Sequence, residues 1–319
     1  QLLNAFRALG LHGEGKEDEA RQAYGRVMPN LVERIRSDAE NMTASIKQQE
    51  RMVMILEDNI ALLAKHAQKQ PASATESAAQ AFMLADLARG STVQRALSAS
   101  AARANIKDPK LAELARKEQD MQRRITSLED LLTGLMSAPP DQQLPSVQAR
   151  MRTDIAAFKQ DREKLRHEIE QKFPDYAELV NPKPASIDKA RQLLKDDEVL
   201  VSWYFAEKEG FVWAITKHGA PQFHRIGIGR AQMAQTVSSL RKSLDPGVAT
   251  IDDIPPFDLA LAHQLHQTIL APVQSALQNK KVLLAVPHGE LGQLPLSLLV
   301  TKNAATTPKA KGSDFSEYR

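Results

Sequence analysis

The apolar positions change their period near residue 175, and with it the structure they predict. Before that point they recur by threes and fours on a background poor in Gly and rich in Ala, Leu, Gln, Glu, Lys and Arg, whose side chains lose little freedom in a helix. After Tyr176 the β-branched and aromatic residues gather into short runs separated by Gly-bearing turns. The pattern predicts an α+β chain, with a helical N-terminal half followed by a mixed α/β region. The break falls at residues 173–185 (FPDYAELVNPKPA), where Pro174, Pro182 and Pro184 each disfavour helix in the residue before them.

In the helical half, residues 2–28 read as a helix pair broken at residues 10–18. Gly10, Gly13 and Gly15 interrupt the apolar pattern there, and Glu17, Asp18 and Glu19 supply negative charge for a new helix N-terminus. Such a pair suits one tetratricopeptide-type unit, in a single copy without a repeat period. From Leu31 to about His66 one long helix is predicted, with Met42, Ile46, Gln49, Val53, Leu56, Ile60 and Leu63 as a narrow seam. Residues 67–80 (AQKQPASATESAAQ) are small and polar, a linker by composition.

Leu111, Leu114, Glu118, Met121, Ile125, Leu128, Leu132 and Leu135 form a second seam, a heptad interrupted at Glu118. Prolines 139, 140 and 145 stop that helix. A third seam runs through Val147, Met151, Ile155, Phe158, Arg162, Leu165, Ile169 and Phe173. Two seams of similar length joined by a short loop predict an antiparallel helical hairpin, although each seam also suits a partner chain.

Beyond the break, residues 198–205 (EVLVSWYF), 211–216 (FVWAIT) and 221–226 (PQFHRI) predict an antiparallel meander. A helix from Arg230 to about Leu244, an irregular loop, and a helix from Phe257 to about Gln278 follow. The continuous apolar run KVLLAVP (281–287) predicts a strand buried on both faces of a sheet. The tail from Lys302 to Ser313 is small and basic and is expected to be mobile. The chain thus divides into residues 1–80, repeat-end helices plus linker; 81–175, the helical hairpin region; and 176–319, the α/β region.

Composition removes several function classes. The 319 residues contain no cysteine, which excludes a disulfide scaffold, a Cys-ligated metal and a cysteine nucleophile within them. A net charge of +3, from 42 basic and 39 acidic residues, gives no field of the kind that marks nucleic-acid binding. No apolar run reaches the roughly 20 residues that span a bilayer. The chain opens on Gln1 and reads as a piece of a longer protein without its native N-terminus, so no compartment follows from it.

Candidate chemistry is sparse. His288-Gly289 follows the apolar strand, at the end where α/β proteins place their sites; it reads as a general base or as part of a tight turn with Pro287 and Gly292. Ser202 and Ser297 are the hydroxyls that such a base would serve, and neither lies in a nucleophile-elbow sequence. His263 and His266, three apart on a helix, share a face but lack a third metal ligand. Gly227 to Arg230 (GIGR) precedes a helix without the third glycine of a phosphate loop. In the stretch from Arg89 to Arg95, Gly90 and Ser91 read as helix caps, and the arginines as structural or as anchors for a partner. From these residues no catalytic, cofactor-binding or metal site is assigned, and no cofactor is called for.

Several segments together resemble the CHAT domain, a caspase-like domain that accompanies tetratricopeptide repeats. They are residues 81–97 (AFMLADLARGSTVQRAL), the hairpin from Leu111 to Phe173, residues 173–205, and above all VLLAVPHGELGQLPLSLL at 282–299. The last is similar to the family's first core strand and its following Gly-Leu-Pro loop. The resemblance implies a bacterial caspase-like cysteine peptidase governed by helical protein-interaction repeats, with protein or peptide partners meeting the helical region. In that family the catalytic His belongs to a later His-Gly motif and the Cys to a strand beyond it. Both are expected past Arg319, so His288 takes no catalytic role, this chain is expected to be inactive, and its KVLLAVP strand is expected to lack a neighbour on one side and expose an aggregation-prone edge. The alternative is a non-enzymatic helical scaffold with a degenerate CHAT fold.

Overall fold

The computed structural model describes residues 2–41, 46–90, 100–102, 106–139, 142–180, 183–245, 247, 253 and 255–302. The chain is α+β, with four strands among the described residues after a helical N-terminal half. It splits into two compact units. One comprises Gln1–Pro29, Glu50–Arg89 and Pro184–Arg319; the other comprises Asn30–Gln49 and Gly90–Lys183.

The first unit is built on a sheet of β1 (Glu198–Phe205), β2 (Gly210–Thr216), β3 (Gln222–Ile226) and β4 (Val282–Val286), in the order β3-β2-β1-β4. β1, β2 and β3 form the antiparallel meander that their alternating sequences predict, while β4 joins β1 in parallel, Val201 opposite Ala285. Period-2 geometry divides β1 between two faces. Val199, Val201, Trp203 and Phe205 join one buried cluster with Met233, Val237 and Leu240 of α9 (Arg230–Arg241) and Ala262, Leu265 and Ile269 of α10 (Leu259–Ile269). Ser202 and Tyr204 point to the opposite face, in register with Trp213 and Phe211 of β2.

That opposite face meets Glu57 of α3 (Ile46–Lys69) and Ala78, Phe82 and Arg89 of α4 (Ala74–Arg89); α1 (Leu2–Gly13) and α2 (Glu17–Asn41) precede them in the chain. Both tryptophans are fully buried, one on each face, and each indole N–H donates to a helix carbonyl. Trp203 bonds Ile269 at 2.9 Å and Trp213 bonds Ala78 at 3.1 Å. Phe82 meets the Trp213 ring edge-on, with centroids 5.9 Å apart. Between α1, α2 and α3, Asp58 accepts from Tyr24 at 2.6 Å and pairs with His12 Nδ1 at 2.7 Å.

The second unit contains α5 (Pro109–Ser137) and α6 (Pro145–Lys172), followed by α7 (Pro174–Val180). Asp108 caps α5 by accepting from the backbone of Lys110 and Leu111, with Pro109 at the first helical position, where no N–H is needed. The hairpin is antiparallel: Arg152 reaches Met136, Lys159 pairs with Glu129, and Arg162 pairs with Glu118. The two polar interruptions of the seams therefore meet each other, at 2.6 Å, with the side chains only 10% and 14% exposed.

Four expectations are corrected. The helix expected from Leu31 to His66 starts earlier and ends later: residues 31–41 belong to α2, which begins at Glu17 and continues through Pro29, α3 runs from Ile46 to Lys69, and residues 42–45 lie outside the described residues. Residues 67–80 are not a linker, because α3 runs to Lys69, a 3₁₀ turn spans Pro71–Ser73 and α4 begins at Ala74. Small side chains served there for close packing; Ala78 and Ala81 are fully buried where Trp213 and Phe82 meet. The helix expected from Phe257 to Gln278 ends at Ile269, since Pro272 cannot donate to the ladder. A 3₁₀ turn and the short α11 (Gln274–Leu277) follow. Finally, the KVLLAVP strand is not buried on both faces. β4 is an edge strand, with Val282, Leu283 and Leu284 41%, 38% and 41% exposed. The mobile tail expected from Lys302 onward lies outside the described residues after Lys302, and α8 (Ile187–Leu193) is an addition before β1.

Candidate functional site

The carboxyl ends of β1 and β4 carry the densest polar cluster on the sheet. Parallel strands direct the dipoles of their last peptides and the following loops to one end, where α/β folds build sites. His288 lies two residues past β4, before Gly289, whose φ of +57° suits a residue without a Cβ. Its imidazole stacks on Tyr204, with centroids 4.4 Å apart, and its Nδ1 accepts the backbone N–H of Phe205 at 3.0 Å. An accepting Nδ1 leaves the proton on Nε2. Burial, then the positive charges of Arg89 and Arg230, push the His288 pKa down to about 4. The ring is neutral at pH 7 and ties the turn after β4 to the end of β1.

Arg89 closes α4 and extends over the Tyr204 ring, 5.9 Å from its centroid. Its Nη2 donates to Ser202 Oγ at 2.8 Å and also to the Trp203 carbonyl oxygen. Burial pulls the guanidinium pKa below its ordinary value, against the opposing pull of Asp86. Asp86 itself accepts the Ala185 N–H at 2.8 Å. From α3, Glu57 accepts the Tyr204 hydroxyl at 2.9 Å and Arg230 Nη2 at 2.6 Å. Burial and the neighbouring Glu57 carboxylate raise the Tyr204 pKa, so the phenol stays protonated and donates.

The Gly227 to Arg230 segment serves this junction and not a phosphate. A Cβ on Gly229 would collide with the backbone carbonyl of Glu207, and the Arg230 N–H donates to the Ala206 carbonyl at 2.8 Å. Gly210 is equally constrained, because a Cβ there would sit 2.6 Å from the Phe205 ring. The glycines let the turn after β1 and the start of α9 touch.

The serine and histidine candidates separate. Ser202 is fully buried and holds Arg89, while Ser297 is exposed on a 3₁₀ turn. His263 Nδ1 donates to the Val300 carbonyl at 2.9 Å, and His266 stacks 6.4 Å away; burial first, then His263, lowers the pKa of His266. Among the described residues no group of three or more His, Cys, Asp or Glu is placed to hold a metal. Arg95 lies outside the described residues. Sequence reasoning placed His288 at the right end of the sheet but missed Glu57 and Arg89 as its supporting layer. Both sit on helices whose periodicity says nothing about a distant strand; the pairing of a charged residue with an otherwise small, Ala-rich face at Arg89 was the available signal.

Among the described residues no helix is long and apolar enough to cross a membrane. In comparisons with known proteins, no family model, curated protein or solved structure matches the chain.

Proposed function

We propose that this chain is the repeat-end, helical hairpin and first half of a CHAT domain. The parent would be a longer bacterial protein, a caspase-like cysteine peptidase governed through its helical region, with its His and Cys beyond residue 319. The observation that carries this reading is the edge of β4, which is bare among the described residues. The strand is parallel to β1, has no charged residue or proline, and leaves large apolar side chains 38% to 41% exposed. Edge strands of finished sheets are short, charged, bulged or covered. The opposite edge shows that protection: on β3, Arg225 pairs with Glu209 and Gln222 bonds Ser275. A parallel strand with both faces apolar suits an inner position, with the next strand supplied by a following segment.

In this reading His288 is the strand-turn histidine and not the base of the dyad, in keeping with its neutral, amide-bound ring. The coding sequence past Arg319 tests the proposal. It should carry a His-Gly pair and then a Cys within a predicted strand, inside about 150 further residues. A parent chain without both removes the peptidase reading.

A scaffold is the second reading, and the hairpin end of the second unit favours it. Leu131, Met136, Leu144 and Val147 stand 59%, 53%, 51% and 42% exposed near the α5–α6 connection, and Leu144 adopts a φ of 44°, uncommon for a branched residue. In either reading, protein or peptide partners meet the helical region.

A further inference from the structure

Glu57 and Arg89 reach from two helices to the last residues of one strand. The Glu57 carboxylate accepts from the Tyr204 hydroxyl on β1, from Arg230 at the start of α9, and at 3.4 Å from the Glu207 N–H in the turn between β1 and β2. Arg230 in turn donates Nε to the Phe205 carbonyl at 3.3 Å. Arg89 holds Ser202 and the Trp203 carbonyl two residues back along the same strand. Tyr204 and the Phe205 N–H then receive His288, one by stacking and one by a hydrogen bond.

We propose that Glu57 and Arg89 form an interlock through which α3 and α4 set the conformation of the carboxyl end of β1, the turn that follows it, and the His288 turn behind β4. The Tyr204, Arg230 and Glu207 contacts share the Glu57 carboxylate, so they fail together. A shift of α3 by about 1.5 Å, one residue's rise, takes the Tyr204, Arg230 and Glu207 donors out of range of one carboxylate at once. Such a shared break gives two discrete arrangements instead of a gradual loosening. All of these bonds lie within one compact unit, and the inference stands whether the parent protein is a peptidase or a scaffold. The charged groups around the His288 ring are Arg89 from α4 and Arg230 from α9, with Glu57 and Asp86 opposing them.

The test is amide exchange and imidazole NMR on the full 319-residue chain, comparing wild type with Glu57→Gln and Arg89→Lys. Gln keeps an acceptor for Tyr204 but loses the charge that anchors Arg230. Lys keeps the charge of Arg89 but not the planar guanidinium whose Nη2 donates to both Ser202 Oγ and the Trp203 carbonyl. Each variant should speed exchange of the Phe205 amide by about ten- to a hundredfold, and Arg89→Lys, which keeps the local charge, should move the His288 titration from about 4 back toward 6.5 as the ring is released from burial. Coupling is reciprocal. His288→Ala should therefore speed exchange around Glu57 in α3 by about tenfold while leaving the amides of α1 unchanged. This arm decides the matter if either helix variant fails to fold. Unchanged Phe205 exchange and His288 titration in folded variants overturn the interlock. So does a uniform acceleration that includes β3 and α1, which would mean only a general loss of stability.

Discussion

An imidazole that accepts a backbone N–H through Nδ1 is a different chemical object from one that waits beside a hydroxyl. His288 is of the first kind, and its depressed pKa follows from burial between aromatic rings beside Arg89 and Arg230. In the unfolded chain the ordinary value near 6.5 returns, so the unfolded state binds the proton first as pH falls. The contribution of His288 to stability is complete above about 6.5 and is lost progressively as pH falls toward 4. Urea unfolding between those values should therefore show a smaller pH slope in His288→Asn than in wild type; equal slopes would assign the effect elsewhere. Trp213 makes a sharper prediction. Its burial and its bond to the Ala78 carbonyl place Trp213→Ala at a loss of about 3–5 kcal/mol by denaturant titration. The position of His288 beyond an apolar strand was legible in its sequence, because strand ends are marked by turn residues. Its partner was not: the N–H of Phe205 has no sequence signature, and the approach of Arg89 to Ser202 spans 113 positions.

The two hairpin seams were read well, and their interiors explain why. The hairpin seams place Leu111, Ile125, Ile155 and Ile169 in buried positions, and the loop prolines stop the first helix where expected. The two residues that broke the heptads, Glu118 and Arg162, find each other across the hairpin. A nearly buried pair of this kind fixes register more than it adds stability. Glu118→Ala alone should cost about 1.5–3 kcal/mol by removing the carboxylate to which Arg162 Nε donates. Replacing both residues with Leu should be close to neutral, or stabilising, in a double-mutant cycle. Additive losses would place the pair among ordinary surface contacts. The start of α4 was misread because Ala and Ser there looked like linker composition. Small residues are ambiguous by sequence: they suit a flexible connection and equally a helix pressed against an aromatic face, and Trp213 decides for the second.

At the scale of the whole chain, the α+β order was legible because the hydrophobic period switches once. The place of β4 at a sheet edge was expected only by way of the family resemblance, since a run such as VLLAV says what the strand tolerates on its faces and not which neighbours are present. An uncovered apolar edge should make the 319-residue chain associate as its concentration rises. Leu284→Lys should reduce that association in light scattering without altering the helical circular dichroism signal; unchanged association would move the contact elsewhere. The central claim concerns the longer protein that carries this chain, and a thiol-reactive activity probe tests it most directly. Labelling of that protein should be strong in wild type and fall to background when the cysteine on the predicted strand is changed to Ala. Equal labelling of the two forms would contradict the peptidase reading and leave the scaffold.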